Sequence, residues 1–197
     1  MQKTLEATTR ERELNSLSNV TILVVLATVT MTFGAMIAVF FVRSEGKLFW
    51  GHLHIPGVLY LTTVLLLASS AVLEKARQQL LIDDQKRFFK LTAVATILGL
   101  LFLAGQLTAW VQILHSGVVL AQNPHSWFIF LFTGLHGMHI VLGLGGLVYL
   151  LARTYRPAGG PKYRMKTRAA AHGISIFWHY LDFLWILLFA LLLTWHR

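Results

Sequence analysis

Residues Ser126 to Ala152 read SWFIFLFTGLHGMHIVLGLGGLVYLLA, a 27-residue run without a single charged side chain. At ~1.5 Å of rise per residue, about 20 apolar residues cross a hydrocarbon core, so this stretch predicts a membrane-spanning helix. Two histidines, His136 and His139, fall near its middle, and glycines occupy positions 134, 137, 143, 145 and 146. Polar groups at membrane depth normally face protein rather than lipid. His136, His139, Gly143 and Gly146 share one helical face, and small residues on such a face admit a neighbouring helix closely. Gly134, Gly137, Gly143 and Gly146 are therefore read as a packing surface.

The rest of the chain repeats this pattern. Of its 197 residues 56% are hydrophobic and only 13% charged, with a mean hydropathy of +0.64. A soluble domain carries about twice that charge, so the class is an integral membrane protein. There is no cysteine, which excludes disulfides, iron–sulfur clusters, thiolate zinc sites and covalent c-type haem. Residues 1–19 mix Lys3, Arg10 and Arg12 with Glu6, Glu11 and Glu13 and are expected to form a short amphipathic or disordered arm ahead of a single membrane domain, 20–197. Val20–Val42 is too long for a signal-peptide core and predicts a retained span whose threonines 28, 30 and 32 bond to their own helix. Residues 43–55 suit an interface, with Trp50, His52 and His54; a His-x-His pair with no third ligand nearby is a weak metal signal. Pro56 opens a second span, expected to end near Leu73 with Glu74 at the water boundary. Spans at about 91–114, 126–151 and 171–195 follow, the third carrying Gln106 near mid-depth, where an amide needs a partner on another helix.

Five spans place alternate connections on alternate sides. Residues 1–19, 74–90 and 153–168 together hold 14 Lys/Arg, the other side only 3. That bias predicts a cytoplasmic N-terminus and an external C-terminus, and it accounts for the net charge of +9 without invoking nucleic acid.

Asp182 is the one carboxylate within a predicted span, and an ionised aspartate at mid-depth costs ~2.5–3.5 kcal/mol on insertion scales. His179 lies one turn away. A buried cluster of His136 or His139 with His179 and Asp182 is expected to join the last two helices, with Gln106 as a further buried polar group. The histidines could alternatively ligate haem b or copper, or relay protons.

The two motifs together are familiar. Thr133, Gly134, His136, Gly137, His139 and Gly143, followed beyond a basic loop by Trp178, His179, Asp182 and Trp185, resemble the T-G-x-H-G-x-H and W-H-x-x-D-x-x-W segments of subunit III of the haem-copper cytochrome c oxidases. LLLASSAVLEKAR and LAGQLTAW resemble the preceding helices of that family, in its short five-helix bacterial form. The resemblance implies an all-α membrane subunit that is not itself catalytic. It implies no cofactor in this chain, with haem and copper in subunits I and II, which would be its partners in a bacterial plasma membrane, with a larger respiratory supercomplex as a further setting. It also implies stabilisation of subunit I, support of proton uptake and phospholipid binding. Arg153 resembles a family arginine that meets lipid headgroups; Arg156, Arg168 and His172 join it as basic or titratable neighbours at the cytoplasmic end. Two positions depart from the family. Thr28 stands where a buried glutamate often precedes a glycine, here Gly34, and His172 replaces an acidic residue before the second motif. Rival readings are an accessory subunit of nitric oxide reductase and a haem b membrane cytochrome. A transporter is disfavoured by the absence of inverted repeats and broken helices.

Overall fold

The computed structural model describes residues 2–44, 56–115, 124–155 and 161–194. The described residues form five helices and no strand: α1 Gln2–Ser44, α2 Val58–Leu81, α3 Gln85–His115, α4 Pro124–Tyr155 and α5 Pro161–Thr194. Each contains a segment long and apolar enough to span a membrane, so the protein is a multi-pass membrane bundle. The His52/His54 pair, Arg156 and residues 157–160 of the basic connection lie outside the described residues.

The helices outrun the expected spans. Residues 2–19 continue α1 as helix rather than forming a disordered arm. That segment has no glycine or proline and is rich in Glu, Arg and Leu, all compatible with helix. α2 runs eight residues past Leu73, so Glu74 does not end it. Glu74 accepts both Arg77 Nε (2.9 Å) and Nη2 (2.8 Å) one turn on, which lets the charged turn stay helical. α3 begins at Gln85 rather than 91 because Asp84 caps it, its Oδ1 accepting from the Arg87 backbone N–H at 3.0 Å. Asp83, between the two helices, takes a left-handed φ of 68°. α5 opens on Pro161, a favoured first helical position, ten residues before the expected start.

α2 and α3 form an antiparallel hairpin. Ser69 Oγ donates to the Ala95 carbonyl at 2.9 Å, and Gln106 Nε2 to Thr62 Oγ1 at 3.1 Å. α4 lies against α3, and α5 fills the space between α2 and α4. The main core gathers Leu66, Phe102, Ile140, Leu147, Trp178 and Trp185 from these four helices. α1 is peripheral: 11% of its apolar window is buried against 39% for α5. It runs alongside α5, where Thr30 shares a hydrogen bond with Tyr180 (2.6 Å), and seats Phe33 and Phe40 on Phe132, Leu184 and Leu188.

Candidate functional site

The densest feature is the joint between the two motif helices. Trp178 is fully buried. Its indole lies between two glycines: a Cβ on Gly99 of α3 would sit 2.8 Å from Trp178 Cη2, and one on Gly143 of α4 2.9 Å from Cε3. Only backbone with no side chain leaves that slot open. One turn on, Gly146 faces Ile174 of α5 at 3.2 Å, whereas Gly145 opens onto empty space. Gly134 looks instead to Trp110 of α3 (3.3 Å) and Gly137 to Leu103 (4.0 Å). The four packing glycines thus divide between two neighbours, α5 and α3.

His136 does not reach Asp182. It is 1% exposed, stacks on Trp185 of α5 (5.2 Å between centroids, 29°) and meets Phe102 of α3 edge-on. Neither ring nitrogen has a hydrogen-bond partner among the described residues. Trp185 donates its own N–H to Thr63 of α2 at 3.0 Å. Trp185 therefore touches α2, α3 and α4 from its place on α5. His139 turns the other way. Its Nδ1–H donates to the Leu135 carbonyl at 2.7 Å, and its ring lies 5.8 Å from Phe33 of α1.

The expected cluster is thereby divided. His179 and Asp182 remain near one another, Nδ1 to Oδ2 at 4.0 Å, but their polar neighbours come from α2 rather than α4. Ser70 Oγ is hydrogen-bonded to His179 Nδ1, and Glu74 Oε2 lies 3.7 Å from His179 Nε2, which also meets Ser175 at 3.3 Å. Sequence reasoning missed Ser70, and it placed Glu74 and Arg77 in the connection 74–90. Their spacing of four and three residues on one α2 face was the available signal. Among the described residues Asp182 makes no well-formed hydrogen bond through either oxygen, Ser70 being a hydroxyl close enough to act on its carboxyl. Asp182→Asn is accordingly expected to change the unfolding free energy of the chain in mixed micelles by less than ~1 kcal/mol. A loss above ~2 kcal/mol would reveal a partner.

Among the described residues no three His, Cys, Asp or Glu side chains gather as a metal site. Gln106 spends its N–H on Thr62 and lines a narrow apolar crevice with Trp110, Phe132 and Trp185.

A second site sits at the basic end, where α2 turns into α3 and α4 ends beside the start of α5. Arg153 donates Nε to Thr167 (2.8 Å) and Nη1 to Tyr149 (2.7 Å), and its guanidinium lies 4.4 Å over the Tyr163 ring. Tyr163 in turn donates to the Arg153 carbonyl at 2.5 Å. Arg164 bonds Asp83, and Arg168 reaches Asp83 (3.6 Å) and the Leu81 carbonyl (3.3 Å). The three arginines line one crevice in which, among the described residues, Asp83 is the one acid. His172 is exposed on α5, outside this crevice.

Residues 49–197 match the family model described as cytochrome c oxidase subunit III. Among curated proteins, the chain is 28% identical over 137 residues to cytochrome c oxidase subunit 3 of Synechocystis sp., covering 70% of this chain and 55% of that protein. It is 32% identical over 97 residues to the probable cytochrome c oxidase subunit 3 of Nocardia farcinica, covering 49% and 46%. A longer match, 177 residues at 25% identity, covers 87% of this chain and 84% of cytochrome c oxidase subunit 3 of Thermostichus vulcanus. The chain spans about half the length of the first two relatives.

Proposed function

Because the chain belongs to the cytochrome c oxidase subunit III family, we propose that it is a non-catalytic subunit of a haem-copper terminal oxidase, one that stabilises the redox-active partners and binds phospholipid. The observation that carries this reading is how the two motif helices use their motif residues. Trp178 fills a slot between Gly99 and Gly143, and His136 stacks on Trp185. These residues join helices, which supports a scaffold role; haem and copper would be held by subunits I and II.

Lipid binding rests on the basic crevice. Arg153 uses two of its five N–H donors on Thr167 and Tyr149, and Arg164 and Arg168 share the single carboxylate of Asp83. Arginines held in place by hydroxyls and a ring suit a phosphate-bearing headgroup. Arg156 adds a further basic side chain three positions after Arg153 in the sequence. In this proposal the basic end faces the cytoplasm of a bacterium and the helices span its plasma membrane. Support of proton uptake comes through holding the partner in shape rather than through conduction along α1. Thr28, where the family resemblance implies a glutamate, closes its hydroxyl on the Val24 carbonyl at 2.8 Å.

A gentle-detergent pull-down of the chain, read by visible spectrum, mass spectrometry and lipid analysis, tests the proposal. Co-purified a-type haem bands with a large multi-helix subunit and a copper-binding subunit are expected. Arg153→Ala is expected to lower retained anionic phospholipid several-fold while leaving those subunits bound. A chain that elutes alone with a stoichiometric b-type Soret band would overturn the proposal.

A further inference from the structure

One buried acceptor is left over from the packing of the bundle. Gln106 is 7% exposed, and its Nε2 donates to Thr62 Oγ1 at 3.1 Å. The Thr62 hydroxyl is itself committed to the Leu59 carbonyl at 3.0 Å, which leaves its oxygen to accept. That pairing sets the orientation of the amide. Oε1 is the remaining end, without a hydrogen-bond partner among the described residues. A buried acceptor with no donor is costly, and a membrane span has no bulk water to supply one.

Gln106 also lines the apolar crevice. Gln106, Ala109 and Ile113 of α3 and Trp185, Leu188 and Leu192 of α5 recur every three or four residues, one face of each helix, along its length. The other polar groups there are spent: Trp110 Nε1 donates to Thr133 Oγ1 at 3.0 Å and Trp185 Nε1 to Thr63 at 3.0 Å. No lining residue carries a charge. An ionic headgroup would find no counter-ion here, and a plain hydrocarbon would leave Oε1 unpaired. Apolar walls with one placed acceptor suit an apolar body bearing a single O–H.

We propose that this crevice binds a neutral, membrane-dissolved alcohol, its hydroxyl donating to Gln106 Oε1 and its apolar body lying against Trp110 and Trp185. The site is near the start of α4, at the far end of that helix from Arg153 and the basic crevice. It goes beyond the oxidase-subunit reading and does not depend on it.

Photolabelling of native membranes tests it. The probes are azioctanol, an aliphatic alcohol carrying a diazirine, and azioctane, the same chain without the hydroxyl, with adducts mapped by mass spectrometry. Azioctanol is expected to label crevice residues of α3 and α5 about fivefold more than azioctane, roughly what one neutral hydrogen bond is worth. Excess octanol should remove that labelling, while the two probes label exposed Met138 of α4 equally. Gln106→Leu is expected to accumulate normally, since leucine removes the unpaired acceptor, and to erase the difference between the probes. Equal labelling of the wild-type crevice by both probes would mean that it takes only an apolar chain, such as a phospholipid tail, and would overturn the proposal. Absence of crevice adducts, or an alcohol preference that survives Gln106→Leu, would overturn it as well. The comparison of probes needs no variant, so it stands even if Gln106→Leu fails to fold.

Discussion

Gly143→Val is expected to destabilise the bundle by ~3 kcal/mol or more. A Cβ at this position falls 2.9 Å and 3.0 Å from Trp178 Cε3 and Cζ3 and 3.4 Å from Leu181, and valine adds two methyl groups beyond it. The indole cannot retreat, because its far edge already abuts the Gly99 position of α3. Overpacking a rigid core costs ~1–3 kcal/mol and more when nothing can shift. Both walls are fixed here, so the upper end applies, a large share of the ~5–15 kcal/mol that holds a domain together. Gly145→Val is the control. Its side chain meets open space, and the substitution relieves the helix of a glycine, so stability is expected to hold or rise slightly. SDS-titration unfolding of the two variants in mixed micelles separates them. Gly143→Val combined with Trp178→Leu should recover part of the loss, and failure to do so would place the defect elsewhere than the slot.

Trp185→Ala is expected to cost ~3–5 kcal/mol, the range for removing a buried large aromatic. The ring stacks on His136 (5.2 Å) and Phe189 (6.2 Å), meets Phe102 edge-on (5.2 Å), and its N–H reaches Thr63. Its loss empties the junction of α2, α3, α4 and α5 at once and strips His136 of its stacking partner. Trp185→Phe keeps a ring in the stack and forfeits the hydrogen bond, an expected ~1 kcal/mol. The same SDS titration should rank the three proteins wild type, Phe, Ala. Equal losses for Phe and Ala would mean that the N–H, not the ring, holds the junction.

Both predictions depend on contacts between helices far apart in sequence, and this is where sequence reading met its limit. It recognised that the glycines of the fourth span form a packing surface, but periodicity alone could not say that Gly143 and Gly146 meet α5 while Gly134 and Gly137 meet α3. Mid-membrane depth leads to the expectation that His136 or His139 joins His179 and Asp182. Depth sets a level in the membrane and leaves the rotation of each helix free, and rotation carries His139 toward Phe33 and His136 onto Trp185. Glu74 was read as a helix end because charge commonly marks a membrane boundary. Its pairing with Arg77 makes the helix continue.

The sequence by itself determined the all-helical class, the five spans, the family and the two motif helices. These follow from composition, apolar run length and residue spacing, which act locally and survive any rearrangement of the helices. Which side chains share a site was decided by the tertiary structure alone. The bulk of Trp178, the gaps at Gly99 and Gly143 and the reach of Arg77 set how each helix turns about its own axis. A turn of ~100° per residue converts a one-position difference in packing into a different neighbour.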